Sequence, residues 1–137
     1  MVKDLKENFN IVPRKTAILN FPDKIPHNLI RHFIRGYFDG DGTVCESFSN
    51  VNSKTSTIYA GFCCGSRDFA ERLRDIIFSN LGEVIQYQDF DTKINLKFCT
   101  NNAKKLLTWM YANCSIYLDR KHEKYIKLVI NNDRATR

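Results

Sequence analysis

The sequence predicts an α+β fold in the order αββαββα(α), with one four-stranded antiparallel sheet covered by helices on one face. Three observations predict it. Apolar residues recur at helical spacing before residue 42, two pairs of alternating apolar and polar segments follow, and helix-like segments lie between and after those pairs. With 137 residues, 43% of them hydrophobic, the chain is long enough for one domain with an ordinary core.

Four strands are predicted from alternating side chains. In the second strand, Ile58, Ala60 and Phe62 alternate with polar or small residues, which is typical of a half-buried strand. The strands would form two antiparallel hairpins, the first across a polar loop and the second around a tight turn. Their predicted ranges are 43–49, 57–64, 83–90 and 93–99.

The helix boundaries follow from residues that begin or end helices. Pro26 suits the first turn of the first helix, because the N–H that proline lacks has no partner there. Ser66 is a plausible N-cap for the second helix, and Gly82 ends it. Asn101 or Asn102 would cap the third. The second, third and last helices are predicted over 67–80, 102–113 and 118–131.

The net charge of +6 is unevenly placed. Residues 1–96 hold twelve basic and twelve acidic side chains, whereas residues 97–137 hold nine basic and three acidic ones. A basic final third indicates a polyanionic partner, although a merely solvated basic face is the alternative.

The cysteines and the hydropathy exclude several classes of protein. Five cysteines without a C-x-x-C pair indicate neither a zinc site nor a disulfide framework. We interpret them as buried thiols in an intracellular, reducing compartment, the cytoplasm or an organelle matrix. No apolar run approaches the roughly 20 residues that cross a bilayer, and no signal peptide is visible, so we expect no membrane partner.

The end of the first helix carries the most specific signal. Gly36 and Gly40 lie four residues apart on one face, although each glycine destabilises a helix interior by about 1 kcal/mol relative to alanine. Such a pair fits a seam where a second backbone approaches closely. Asp39 and Asp41 lie at the helix C-terminus, where the macrodipole disfavours negative charge. Together these residues predict a divalent metal ion at a helix–helix seam.

Residues 34–42 resemble the LAGLIDADG motif of homing endonucleases. The positions that keep the motif's letters are Gly36, Asp39, Asp41 and Gly42. The resemblance extends over roughly residues 25–131, although only the motif is specific. An ordinary turn is the alternative, because Asp-Gly-Asp-Gly is also common in turns.

The resemblance implies a catalytic site. Asp41, at the eighth place of the motif, would bind the catalytic Mg²⁺ beside Gly40, and a basic residue near the last helices would lie close to the scissile phosphate. Lys121 fits that place best, and Lys97 is the runner-up. The sequence departs from several members at residues 63–66, where they carry a polar residue such as Gln and only Ser66 could hold a solvent molecule here.

The sheet face opposite the helices is predicted to be rich in amide, aromatic and basic side chains. Gln and Asn can make paired hydrogen bonds to adenine, and Lys can bond guanine or phosphate. Such a face fits a β-sheet that lies in the major groove of double-stranded DNA. The residues expected to bind DNA are Tyr59, Gln86, Gln88, Lys93, Asn95 and Lys97, and Thr43, Cys45 and Ser47 complete the face.

A chain with a single motif supplies half of a seam, so we expect a homodimer. Its interface would hold Gly36, Gly40, Phe33 and Tyr37. The predicted function is site-specific double-strand cleavage of DNA, by an endonuclease encoded in an intron, an intein or a phage. The alternatives are a non-catalytic DNA-binding regulator and an intron-splicing cofactor that binds RNA.

The two ends of the sequence resemble each other. Residues 11–15 and 117–121 share an apolar pair, a spacer and Arg-Lys. A true repeat would make this chain similar to the second half of a two-motif enzyme, with residues 16–25 as the linker, whereas chance similarity is the alternative. Either interpretation places the domain at residues 26–137 and leaves residues 1–25 as an N-terminal extension or linker.

Overall fold

The computed structural model describes residues 15–48, 56–83 and 85–132, together with residues 3, 7 and 8. Its helices are α1 (Ile30–Asp41), α2 (Arg67–Leu81), α3 (Thr100–Tyr111) and α4 (Asp119–Tyr125), and a π-helical segment, Ile126–Asn131, continues α4. Its strands are β1 (Thr43–Phe48), β2 (Ser56–Cys64), β3 (Gln86–Phe90) and β4 (Lys93–Cys99). Short 3₁₀ turns occupy Lys15–Ala17 and His27–Leu29. The predicted α+β fold and its order of elements are confirmed.

The four strands form one antiparallel sheet in the order β1-β2-β4-β3. Inward side chains of β2 and β4 alternate with outward ones and are almost fully buried, and they pack against the apolar faces of the helices. The inward residues of these two central strands are Ile58, Ala60, Phe62, Cys64, Ile94, Leu96 and Phe98. The helices therefore cover one face of the sheet, as the alternation in β2 predicts.

Both predicted boundaries of α2 agree with their capping residues. The Ser66 hydroxyl accepts a hydrogen bond from the Phe69 amide at 3.4 Å, and Gly82 ends α2 with a left-handed φ of 67°. The prediction of Asn101 or Asn102 as a cap is wrong. α3 begins directly where β4 ends, so Cys99 occupies the N-cap without a side-chain cap bond and both asparagines fall within the first turn.

Two other boundaries differ slightly from the prediction. Pro26 precedes a 3₁₀ turn rather than the first α-helical turn. The third strand begins at Gln86 and not at Glu83, whose carboxylate instead forms an ion pair with Lys105 of α3. In the described part of the chain, no helix is long and apolar enough to cross a membrane.

Residues before α1 pack on the domain. The Phe21 side chain is 5% exposed, and its ring centroid lies 5.2 Å from that of Phe33 and 5.3 Å from that of Phe69. The domain boundary at residue 26 stays a prediction, and Phe21 shows that part of the preceding segment joins the core. Residues 11–14 of the terminal resemblance, residues 49–55 of the polar loop and the basic end after residue 132 lie outside the described residues.

Phe21→Ala is expected to lower the free energy of unfolding by about 3–5 kcal/mol, because it empties a buried aromatic site. Ile18→Ala is the matched control, since Ile18 lies in the same segment and is 65% exposed. Its effect should stay within about 0.5 kcal/mol. Urea denaturation of both variants measures the difference, and equal small effects would show that this segment does not stabilise the domain.

Candidate functional site

The candidate site begins at the C-terminal end of α1. Asp41 is the last residue of that helix and is exposed, and no hydrogen bond to its carboxylate is formed by the described residues. The next residue, Gly42, closes the helix by donating from its amide to Phe38 O at 2.8 Å. A Cβ at Gly42 would lie 2.6 Å from that same oxygen, so this position requires glycine for lack of space. The helix end therefore presents Asp41 to solvent on a tightly folded turn.

Asp39 faces the protein instead. One carboxylate oxygen accepts a hydrogen bond from the Tyr111 hydroxyl, and the other accepts one from the Leu118 amide at 3.0 Å. Leu118 is the N-cap residue of α4, so the negative charge of Asp39 lies near the positive end of that helix dipole, which is a stabilising arrangement. Burial and the bond to Asp39 raise the pKa of the Tyr111 phenol, which keeps it a neutral donor. The two aspartates thus have different surroundings, one structural and one open.

Lys121 lies directly beneath the same helix end. It is 2% exposed, and its ammonium donates hydrogen bonds to Phe38 O and, at 2.6 Å, to Gly42 O. The nitrogen also lies 4.9 Å from the centroid of the Phe38 ring. Burial lowers the pKa of Lys121, whereas the carboxylates of Asp39 and Asp41 oppose that shift. The structure thus places Lys121 against the end of the motif helix, and its predicted closeness to a scissile phosphate stays a prediction.

One face of α1 is open. Gly36 and Gly40 are both exposed, and a Cβ built at either glycine would meet nothing within 4 Å. The other two residues predicted for the seam pack mainly within their own domain. Phe33 contacts Phe21, and Tyr37 is half-buried, with its ring stacked on that of Phe62 at 5.9 Å. Of the four residues predicted for the seam, the two glycines thus offer the most open surface, and the interface itself stays a prediction.

Arg35, on the opposite side of α1, is a residue that the sequence analysis missed. It is 6% exposed, and its guanidinium donates to Met110 O at 3.2 Å and contacts the His32 ring nitrogen at 2.7 Å. This contact ties α1 to the end of α3. A single arginine within an apolar helix gives no signal in the sequence that distinguishes this role from a solvent-facing one.

The uncovered face of the sheet forms a trough of about 410 Å³. All the residues predicted for this face lie on it by the strand register. At its centre the Lys97 ammonium lies 4.1 Å from the centroid of the Tyr59 ring, which is a cation–π contact. The polar side chains that line the trough are Thr43, Cys45, Ser47, Tyr59, Cys63, Gln88, Asn95 and Lys97. Gln86 pairs with Lys97 in the register, and Lys93 lies at the hairpin end opposite Phe90.

A divalent metal at this site would need ligands from more than one source. Among the described residues, no group of three or more His, Cys, Asp or Glu side chains could hold a metal ion. Mg²⁺ is commonly bound through one or two carboxylates together with water and phosphate oxygens. The open Asp41 carboxylate and the Gly40 carbonyl, which lies in the last helical turn without an i+4 amide partner, fit half of such a site.

The remaining predictions concern residues 63–66. Ser66 is 4% exposed and its hydroxyl caps α2, so the hydroxyl is already engaged inside the fold rather than available to hold a solvent molecule.

All five cysteines are free thiols, as predicted, and burial raises the pKa of the Cys64 thiol. The prediction that all of them are buried is wrong, because Cys45 and Cys63 are exposed on the trough face. The compartment stays a prediction.

Comparison with known proteins supports the motif. Residues 28–82 match the model of the LAGLIDADG-like domain, which confirms the resemblance predicted from residues 34–42. The homing endonuclease I-TnaI is similar in structure, with a TM-score of 0.56 and 16% identity over 77% of this chain and 74% of that chain. No curated protein matches the sequence.

Two structures solved with DNA are also similar. The group I intron-encoded homing endonuclease I-CeuI, complexed with DNA, has a TM-score of 0.54 and 11% identity over 98% of this chain and 66% of that chain. The meganuclease I-SmaMI, bound to uncleaveable DNA, has a TM-score of 0.50 and 16% identity over 98% of this chain. The chain spans 47% of the length of I-SmaMI. At these identities, the likeness shows a shared fold.

Proposed function

We propose that this chain, whose residues 28–82 match the LAGLIDADG-like domain, is a site-specific double-strand DNA endonuclease that acts as a homodimer with Mg²⁺. One observation carries this proposal. The open Asp41 carboxylate lies where the exposed glycine face of α1 meets β1, the first strand of the polar trough. A second helix on the glycines would therefore bring a second Asp41 towards the same phosphates that the trough aligns.

Residues of this chain would orient the DNA and hold the metal ion. The trough would orient the duplex through base-edge contacts from Gln88, Asn95 and Lys97. Asp41 from each copy and the Gly40 carbonyl would hold the metal between the motif helices. When bound, Mg²⁺ would neutralise the scissile phosphate and stabilise charge on the leaving oxygen. At each half-site water would attack the phosphorus of one strand, a new P–O bond would form as the bond to the leaving oxygen breaks, and the leaving oxygen would take up a proton. The two symmetry-related sites would give a staggered break in a roughly palindromic target.

The second candidate is a DNA-binding regulator without nuclease activity. It is favoured by the engagement of Ser66 and Lys121 inside the fold, because fewer polar groups then remain free around Asp41. An intron or intein origin, or a phage origin, stays a prediction, and so does RNA binding.

Cleavage of a supercoiled plasmid library with randomised inserts tests the function directly. The wild-type chain with Mg²⁺ should linearise a small subset of plasmids, and sequencing their ends should recover one related site. Chelation by EDTA should stop the reaction. Selective retention of one duplex without a cut, in any divalent metal, would favour the regulator, and preference for folded RNA would favour the splicing cofactor.

Lys97→Met is expected to relax specificity at one base pair. The change keeps the alkyl chain but removes the ammonium that lies over Tyr59, so discrimination there should fall by about 1–3 kcal/mol. Binding to a panel of single-base variants of the selected site measures this effect. Lys105→Met is the matched control, because Lys105 lies on α3 and pairs with Glu83 away from the trough. Uniform weakening on all sequences, with the salt slope reduced by about 0.9, would instead assign Lys97 to a phosphate.

A further inference from the structure

The C-terminal end of α1 carries an exposed carboxylate between two glycines. Asp41 lies between Gly40 and Gly42, and neither glycine has a side chain that could pack and hold the turn. The Asp41 carboxylate is exposed and accepts no hydrogen bond from the described part of the chain. The direction of this carboxylate therefore depends on how the backbone on either side of Asp41 is held, and the Gly42 amide already bonds Phe38 O.

Lys121 contacts both sides of that turn. Its ammonium bonds Phe38 O, which lies before the turn, and Gly42 O, which lies after it. Cations stabilise a helix C-terminus because they interact with the unpaired carbonyls and the negative end of the dipole. Here a buried cation joins the last helical turn to the first residue beyond the helix, so the intervening Asp41 is held from both ends.

Two further contacts tie α4 to the same region. Lys124, one turn after Lys121, donates from its ammonium to Val44 O of β1 at 3.0 Å. In the reverse direction, Asp39 accepts the bond from the Leu118 amide. The start of α4 therefore contacts the Asp39 carboxylate and main-chain oxygens on both sides of Asp41.

We propose that Lys121 is a positioning residue, which fixes the turn at residues 40–42 and so aims the Asp41 carboxylate, without touching the scissile phosphate or the attacking water. This inference rests on the proposed nuclease function only for its effect on cleavage. The local geometry stands by itself, because both hydrogen bonds of the ammonium end on main-chain oxygens within the protein.

Lys121→Met tests the proposal in the full chain, because methionine preserves packing on Phe38 and removes every donor. Amide hydrogen exchange of Gly42 and Thr43, followed by NMR, should become about tenfold faster, as expected when a charge-assisted bond is lost. Titration with Mn²⁺ should broaden the amide signals of residues 40–43, and the concentration that halves their intensity should rise by a similar factor. DNA affinity in EDTA should remain close to that of the wild type.

Two companion variants make the result specific. Lys105→Met makes the same chemical change at an exposed lysine and should leave exchange at residues 40–44 and the Mn²⁺ response unchanged. Lys121→Gln keeps a neutral amide that can donate hydrogen bonds, so its exchange rates and Mn²⁺ response should fall between those of the wild type and Lys121→Met. It also serves as the main test should Lys121→Met lose its cooperative thermal transition. A general loss of stability would raise exchange throughout the core instead of at this turn.

Two outcomes would overturn the proposal. Unchanged exchange and an unchanged Mn²⁺ response, with cleavage lost, would show that the ammonium acts on the reacting groups themselves. Unchanged exchange with cleavage intact would show that Lys121 positions nothing. A wild-type chain that cuts no DNA would reject the proposed function separately, and the exchange and Mn²⁺ measurements would still decide the role of Lys121.

Discussion

Asp41→Asn is expected to abolish Mg²⁺-dependent cleavage while DNA binding remains close to that of the wild type. Asparagine keeps the size of the side chain and removes the charge that a magnesium site requires. Loss of this electrostatic stabilisation should lower the cleavage rate by at least about a hundredfold. Binding should not suffer and could gain, because one negative charge near the DNA phosphates is removed.

The stability of the same variant makes the prediction sharper. Asp41 is exposed at the negative end of the α1 dipole, which disfavours its charge, whereas that charge also favours the Lys121 ammonium. The two effects oppose each other, so the free energy of unfolding of Asp41→Asn should differ from that of the wild type by less than about 1 kcal/mol. A loss of activity without a loss of stability indicates a residue kept for function. An Asp41→Asn variant that cleaves DNA at the wild-type rate would reject the assigned site.

Asp39→Asn is the control at the neighbouring aspartate. Its carboxylate accepts bonds from Tyr111 and Leu118, so the amide should destabilise the fold by about 1–3 kcal/mol. Cleavage by Asp39→Asn should therefore decrease only at temperatures at which the variant unfolds. Both variants are best assayed on one supercoiled substrate that carries the selected site.

The fold was largely predictable because local signals and burial agree. Alternating residues in β2 and β4, the Ser66 cap and the Gly82 end each specify their element without reference to distant parts of the chain. The asparagine cap failed for a tertiary reason, since β4 continues directly into α3 and leaves no separate capping residue. The core position of Phe21 could not be predicted either, because nothing local connects residues before Pro26 with α1 and α2.

The candidate site was predictable in its placement but not in its contacts. The motif locates Asp41, the glycine pair and, by resemblance, Lys121 near the same end of α1. What the sequence does not contain is the direction of each side chain. Lys121 and Phe38 are 83 residues apart, and only the folded chain shows that the ammonium ends on the carbonyl of Phe38. Tyr37 illustrates the same point, because its helical position fits the seam equally well until its ring is found stacked on Phe62.

Gly40→Leu is expected to prevent formation of the proposed homodimer without unfolding the chain. A Cβ at Gly40 meets nothing within 4 Å in the single chain, and leucine is favoured over glycine in a helix by about 0.5–1 kcal/mol. The isolated domain should therefore be as stable as the wild type, or slightly more so. A leucine side chain in the seam would hold two motif helices apart, so the pairing of the two Asp41 carboxylates should fail.

Sedimentation velocity at micromolar concentration, with and without a duplex carrying the selected site, measures this change. Thr108→Leu is the matched control, because it places an equally exposed leucine on α3, away from the glycine face. The control should sediment as the wild type does, whereas Gly40→Leu should remain monomeric even on DNA and lose double-strand cleavage. A wild-type chain that stays monomeric on its target would reject the homodimer, and a Gly40→Leu dimer would place the seam on another surface. Because the substitution removes pairing but no ligand of the metal, its loss of cleavage would show that one Asp41 alone is only half of the site.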